Sequence, residues 1–164
     1  QIRRVARVEV VEVQAEEIDA LRESMTLNEL EARVFATIIE RLAPEMAYVD
    51  AADADEAAFG RMVTAQLRCQ ARMHSRHRAD ELFPVVSAAS VVAKVARDAR
   101  VREIEAEIGR PIGSGYTSDP KTVSFLRGWI GEKGTFPPHT RRSWATSQNL
   151  MMLNGLRKLD SFEG

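Results

Sequence analysis

Apolar and polar positions alternate from Val5 to Val13, where Val8, Val10 and Val13 are separated by charged residues with a slip near Val11. The period of two predicts a strand. Thr26-Leu27-Asn28-Glu29 is a capping-box pattern, and behind it Leu27, Leu30, Val34, Ile38 and Leu42 keep helical spacing until Pro44. Met46-Ala47-Tyr48-Val49 predicts a short buried strand that ends at Asp50. Asp53 is placed to cap a helix running through Phe59, Met62, Val63 and Leu67, and a second strand is expected around Cys69 to Ser75, leading to Asp80.

From Pro84 the pattern changes to a run of small and β-branched apolar residues broken by Ser87, Ser90 and Lys94. On a helix these three fall at i, i+3 and i+7, on one face. Val86, Val91, Val92 and Val95 occupy the other faces, so the helix is expected to be buried nearly all round and to continue through Val101 and Ile104 to about Ile108. Two readings of the polar seam stand side by side. It belongs to a core helix whose serines bond back to their own carbonyls, or to a substrate site in which Asp80 holds a metal and the seam faces phosphate.

Gly109 to Gly115 reads as a loop, and Ser118-Asp119-Pro120 opens a helix carrying Val123, Leu126, Trp129 and Ile130, with proline in its first turn. Gly134 to Pro138 breaks it, Arg141-Arg142-Ser143-Trp144 follows, and Asn149 to Leu159 has the pattern of a last amphipathic helix. Strands alternating with helices predict an α/β layered fold. We expect a single domain over residues 1–164, with an α/β core in 1–110 and a helical C-terminal part in 111–164.

Composition narrows the classes. Hydrophobic residues make up 45% and charged residues 29% of 164, ordinary for a globular protein with a real core. No apolar run approaches membrane-spanning length, and nothing at the start resembles a signal peptide. The single cysteine, Cys69, excludes an internal disulfide and points to a reducing, cytoplasmic setting. The net charge of -1 neither suggests nor excludes nucleic acid. Arg68, Arg72, Arg76 and Arg78 with His74 and His77 make a local basic cluster, whose ordinary meaning is a solvated strand face. His74 and His77 would share a metal at i, i+3 only on a helix; a strand is expected there, so no metal is assigned to them.

Asp50 stands at the carboxyl end of one expected strand and Asp80 just past the end of the next. If the strands are parallel neighbours, both carboxylates emerge at the sheet edge where open α/β folds place their sites. Two such carboxylates repel unless a cation lies between them, and hard oxygen donors suit magnesium or manganese in phosphodiester hydrolysis. Aspartates at strand ends are as commonly turn residues or helix caps, and spacing alone does not separate the readings.

Several segments, taken in order, resemble one family. Tyr48-Val49-Asp50-Ala51-Ala52-Asp53 with Phe59-Gly60, then His77-Arg78-Ala79-Asp80, then Phe83-Pro84-Val85-Val86-Ser87-Ala88-Ala89-Ser90 with Ala93-Lys94-Val95 and Arg97-Asp98, resemble ribonuclease HII of the archaeal type. Gly113-Ser114-Gly115-Tyr116 with Ser118-Asp119-Pro120, Pro137-Pro138 before Arg141-Arg142-Ser143-Trp144, and Thr26-Leu27-Asn28-Glu29 continue the likeness, which spans about residues 8 to 146. The resemblance implies a ribonuclease H-like fold and a Mg2+- or Mn2+-dependent endonuclease of DNA replication and repair. Such an enzyme hydrolyses the RNA strand of RNA–DNA hybrids and cuts 5′ to ribonucleotides embedded in DNA. It implies four metal-binding carboxylates, two of which match Asp50 and Asp80. It places Tyr116 at the RNA–DNA junction, Ser90, Lys94 and Arg97 on a helix facing the substrate backbone, and Arg141 and Arg142 near the nucleic acid. Thr117 departs from the proline common after that tyrosine, and Ala145-Thr146 departs from a lysine-threonine pair.

The family's other two carboxylates lie in an Asp-Glu-Ala-Gly-Arg-Gly segment that matches nothing in these residues. With Gln1 already in a strand-like pattern, the resemblance implies an N-terminally incomplete fold whose open sheet edge is covered by the missing segment or by a second copy of the chain. The chain alone is then expected to be inactive, and the alternative reading is a non-catalytic hybrid-binding or oligomerising remnant.

Overall fold

The computed structural model describes residues 1–160; residues 161–164 of the expected C-terminal part lie outside the described residues. Its contacts divide the chain into two units. The first contains residues 1–12 and 21–96, and the second residues 13–20 and 97–164.

The first unit is built on α2 (Leu27–Leu42), β1 (Met46–Asp50), α3 (Glu56–Thr64) and β2 (Arg72–Arg76). The capping box forms as expected: the Thr26 hydroxyl accepts the Glu29 amide at 3.2 Å, and the Glu29 carboxylate accepts the Thr26 amide at 2.6 Å. Two of the orphan donors at the helix start are thereby satisfied. Ala43 ends α2 in the left-handed conformation, one residue before Pro44. In β1 the period of two turns Ala47 and Val49 inward, where they meet Ala32, Ala36 and Ile39 of α2 and Phe59 and Val63 of α3. Phe59 is fully buried and packs edge-on against Phe35, ring centroids 5.8 Å apart. Gly60 lets α3 approach β2 closely, because a Cβ there would stand 2.9 Å from the Ser75 Cβ.

β1 and β2 pair in parallel, with Met46 opposite Arg72 and Asp50 opposite Arg76. Tyr48, on the face away from α2 and α3, stacks on His74 of β2 with centroids 4.9 Å apart and meets Phe83 at 4.5 Å. β2 is followed by the short α4 (Ala79–Leu82), and α5 (Pro84–Ile108) runs as one helix with the bounds its pattern predicts.

Three expectations are corrected. The alternating valines of 5–13 form no strand; Ile2–Arg4 is a 3-10 turn, and residues 7–14 have no regular structure before α1 (Ala15–Leu21). A strand exists only with a ladder partner, and the two described strands pair with each other. Asp53 does not cap α3. That role falls to Asp55, whose Oδ1 accepts the amides of Ala57 and Ala58 at 2.9 Å, while Asp53 accepts the Asn28 side-chain amide at 2.7 Å. Nor is α5 buried nearly all round. Among its described residues only Val86 is buried, while Val85, Val91 and Val95 are 52–62% exposed. The valine pattern is that of a helix covered on several sides, but the described residues leave three of these valines exposed.

In the second unit α6 (Pro120–Lys133) and α7 (Ala145–Asp160) pack through Leu126, Ile130 and Leu150, with Phe136 and Met151 alongside. Asp119 caps α6 by accepting the Lys121 amide at 2.9 Å, and Pro120 takes the first-turn position where no amide partner is needed. Glu16 and Glu17 occupy the first turn of α1, where the helix dipole favours negative charge.

Candidate nucleic-acid cleavage site

The parallel register decides where the aspartates stand. Asp50 ends β1 beside Arg76, and the chain continues from β2 through His77 and Arg78 into the first turn of α4, which carries Asp80. Arg78 adopts the left-handed conformation (φ 55°) that turns the chain, and its guanidinium is held by Glu81 at 2.6 and 2.9 Å. Ala79 is fully buried, and its amide donates to Asp50 Oδ1 at 3.2 Å. Both carboxylates are exposed and emerge at the carboxyl edge of the sheet. The strands are parallel neighbours, as the site reading required, and Asp80 follows directly the residue whose amide is bonded to Asp50.

Ser90 and Lys94 lie on exposed positions of α5 and keep, with Ser87, the single polar face read from the sequence. His74 lies in β2, as the strand reading required, and His77 bonds through Nε2 to the Ala54 carbonyl oxygen at 3.1 Å. Glu56 gathers part of the basic cluster, accepting the Arg76 guanidinium at 2.5 Å and the His77 amide at 3.0 Å.

In the second unit Arg97 and Tyr116 are brought together: the guanidinium carbon lies 3.6 Å from the tyrosine ring centroid. The loop that carries Tyr116 is held by two residues the sequence reading did not place in the site. Asp119 Oδ2 accepts the Ser114 amide at 2.7 Å, and the Thr122 hydroxyl accepts the Gly115 amide and donates to the Ile112 carbonyl, both at 2.9 Å. The Ser114 and Lys121 bonds hold the Asp119 carboxyl below its ordinary range. Ser-Asp-Pro before a helix was the signal for Asp119 as a cap; its second oxygen serves the loop.

The Arg141–Arg142 segment is anchored on α1. Asp19 accepts the Arg142 amide at 2.7 Å and the Ser143 amide at 3.1 Å, and Glu16 accepts the His139 amide at 3.1 Å. Burial pushes the Asp19 carboxyl up, but the Ser143 and Arg142 bonds and the Arg141 charge outweigh it and leave the group below its ordinary value. Arg141 donates through Nε to the Ser143 hydroxyl at 3.1 Å, and Arg142 is exposed. No local pattern marks Asp19, because its partners lie 123 and 124 positions away.

The family model described as Ribonuclease HII matches residues 1–147. The chain belongs to the ribonuclease HII family. It is 43% identical over 161 residues to the ribonuclease HII of Methanoregula boonei, covering 98% of this chain and 75% of that one. Among solved structures it is similar to the ribonuclease H2 of Pyrococcus horikoshii, with a TM-score of 0.78 and 36% identity over 87% of this chain and 67% of that one. It is also similar to the RNase HII solved in complex with PCNA from Archaeoglobus fulgidus, with a TM-score of 0.83 and 38% identity over 91% and 71% of the two chains. Ribonuclease HII is an endoribonuclease family that depends in general on divalent metal, and the mixed helix and strand architecture is that of its ribonuclease H-like fold. Among the described residues no helix is long and apolar enough to cross a membrane.

Proposed function

We propose that this chain carries part of the active site of a metal-dependent endonuclease acting on RNA–DNA hybrids and on ribonucleotides embedded in DNA, cutting 5′ to the ribonucleotide. The observation that carries the reading is the placing of Asp50 and Asp80 at one sheet edge, with the amide before Asp80 bonded to Asp50. Two hard carboxylate donors fit magnesium or manganese. When bound there, such a cation would polarise the scissile phosphate and activate water. The Ala79 amide donates to Asp50 Oδ1 and helps orient the carboxylate that would hold the cation. Asp80, at the first turn of α4, would supply the second ligand.

The remaining residues bind and orient. Ser90 and Lys94 present a hydroxyl and a charge to a substrate backbone, and Arg141 and Arg142 add cations on a segment fixed by Asp19. Tyr116 offers a ring that stacks on a sugar or base at the RNA–DNA junction, where the 2′-hydroxyl distinguishes the two strands. Two donors are half of the family's ligand set. Among the described residues no group of three or more His, Cys, Asp or Glu side chains can hold a metal. These residues are thus expected to cut only when joined by the Asp-Glu-Ala-Gly-Arg-Gly ligands. That same observation favours a second reading, a hybrid-binding module that does not cleave.

Asp80→Asn separates the two in a chain completed with those ligands. Loss of cleavage with hybrid binding retained supports the catalytic reading. Salt-dependent binding with no cleavage by the completed wild-type chain in manganese supports the binding module.

A further inference from the structure

We infer that Arg97 serves as the positioning residue of Tyr116, setting which face of its ring meets the nucleic acid, rather than as a contact to phosphate. The inference rests on the reading of Tyr116 as the residue that stacks at the junction.

The loop backbone around Tyr116 is fixed by Asp119 and Thr122, but those bonds do not orient the ring. Tyr116 is 49% exposed, and the Arg97 guanidinium lies over one face of its ring at 3.6 Å from the centroid. The guanidinium is itself anchored, since Nη1 donates to the Ser114 carbonyl at 2.9 Å. Gly115 makes room for it: at φ +73° a Cβ would come within 3.3 Å of Nη2. A planar cation held at one edge by a carbonyl and stacked on a ring fixes that ring in one orientation. The face it covers is closed to substrate, so a base or sugar stacks only on the opposite one. One N–H of the guanidinium is committed to the loop carbonyl, which leaves the group less free to turn toward a phosphate.

The test measures binding of this chain to a labelled DNA duplex with one ribonucleotide, and to the all-DNA duplex, as salt is raised. It compares wild type, Arg97→Ala, Arg97→Lys, Tyr116→Ala and the Arg97→Ala/Tyr116→Ala double variant, with folding of each checked by circular dichroism. We expect Arg97→Ala to weaken binding to the ribonucleotide duplex about fivefold, a typical worth for an exposed cation–π contact together with its hydrogen bond. We expect the double variant to bind no more weakly than Tyr116→Ala, and the salt dependence to stay unchanged in Arg97→Ala. Arg97→Lys keeps the charge but loses the planar fork, so it should resemble Arg97→Ala. If the two losses add and the salt slope falls by about one in Arg97→Ala, Arg97 contacts a phosphate and the inference is overturned. If Tyr116→Ala binds both duplexes as wild type does, the reading of Tyr116 fails, and the role of Arg97 fails with it.

Discussion

Asp50 and Ala79 are joined by a hydrogen bond of 3.2 Å, so the carboxylate at the end of β1 is oriented by the residue that precedes Asp80. One interaction thus aligns one candidate ligand and anchors the turn that presents the other. The two aspartates should differ in what they contribute to stability. Asp50→Ala leaves a buried amide without its acceptor and is expected to cost about 1–2 kcal/mol. Asp80→Ala, at an exposed position, should be close to neutral. Urea unfolding of the two variants checks this, and equal losses would contradict it.

The core between α2, β1 and α3 sets the register of that edge. Phe59 is fully buried, with its ring against Phe35. Phe59→Ala is expected to destabilise by about 3–5 kcal/mol, while Phe59→Leu should cost clearly less because it leaves a smaller cavity. Denaturant midpoints at unchanged slope measure the difference.

Much of this was legible in the sequence because it is local. The capping box at Thr26 and Glu29, Pro120 at the start of α6, and the bounds of α5 follow from side chains within a turn of one another. The strand–helix–strand order allowed a parallel pairing of β1 and β2 that would put Asp50 and Asp80 at one edge, and the register shows that pairing. Legibility failed where the outcome depends on a distant partner. The valines of 5–13 alternate like a strand, yet a strand needs a neighbour's hydrogen bonds. The valines of α5 are spaced for burial, yet Val85, Val91 and Val95 stand exposed. Asp53 and Asp55 are both good caps by type, and only the fold chooses Asp55. Asp19 carries no signal at all, since its partners lie at the other end of the chain.

Asp119 gives the Tyr116 loop an acid dependence with a definite sign. Its folded carboxyl lies below the ordinary 3.8, chiefly through the Ser114 amide. A group held low in the fold contributes stability that is present above its unfolded value and lost as pH falls through the folded one. The loop should therefore be unchanged from neutrality down to about pH 5 and loosen below about 4. Asp119→Asn should remove that acid step and weaken binding to the ribonucleotide duplex at all pH values. Hydrogen exchange of the Ser114 amide across this range, in the two proteins, tests the sign.

Asp19 anchors the segment that carries Arg142 by accepting the Arg142 and Ser143 amides. Asp19→Ala should speed exchange of these two amides about tenfold and weaken hybrid binding, with little change at the Ser114 amide. Uniform acceleration across the whole chain would instead show a general loss of stability.

The central claim is that Asp50 and Asp80 form half of a ribonuclease HII metal site. It is tested most directly by cleavage of a labelled DNA duplex containing one ribonucleotide, in magnesium and in manganese. The assay compares this chain alone with the same chain joined to a relative's segment bearing Asp-Glu-Ala-Gly-Arg-Gly. We predict no cutting by the chain alone. The joined protein should cut 5′ to the ribonucleotide, and Asp50→Asn or Asp80→Asn should abolish that activity. Cleavage by the chain alone, or by the joined protein carrying either substitution, would contradict the claim.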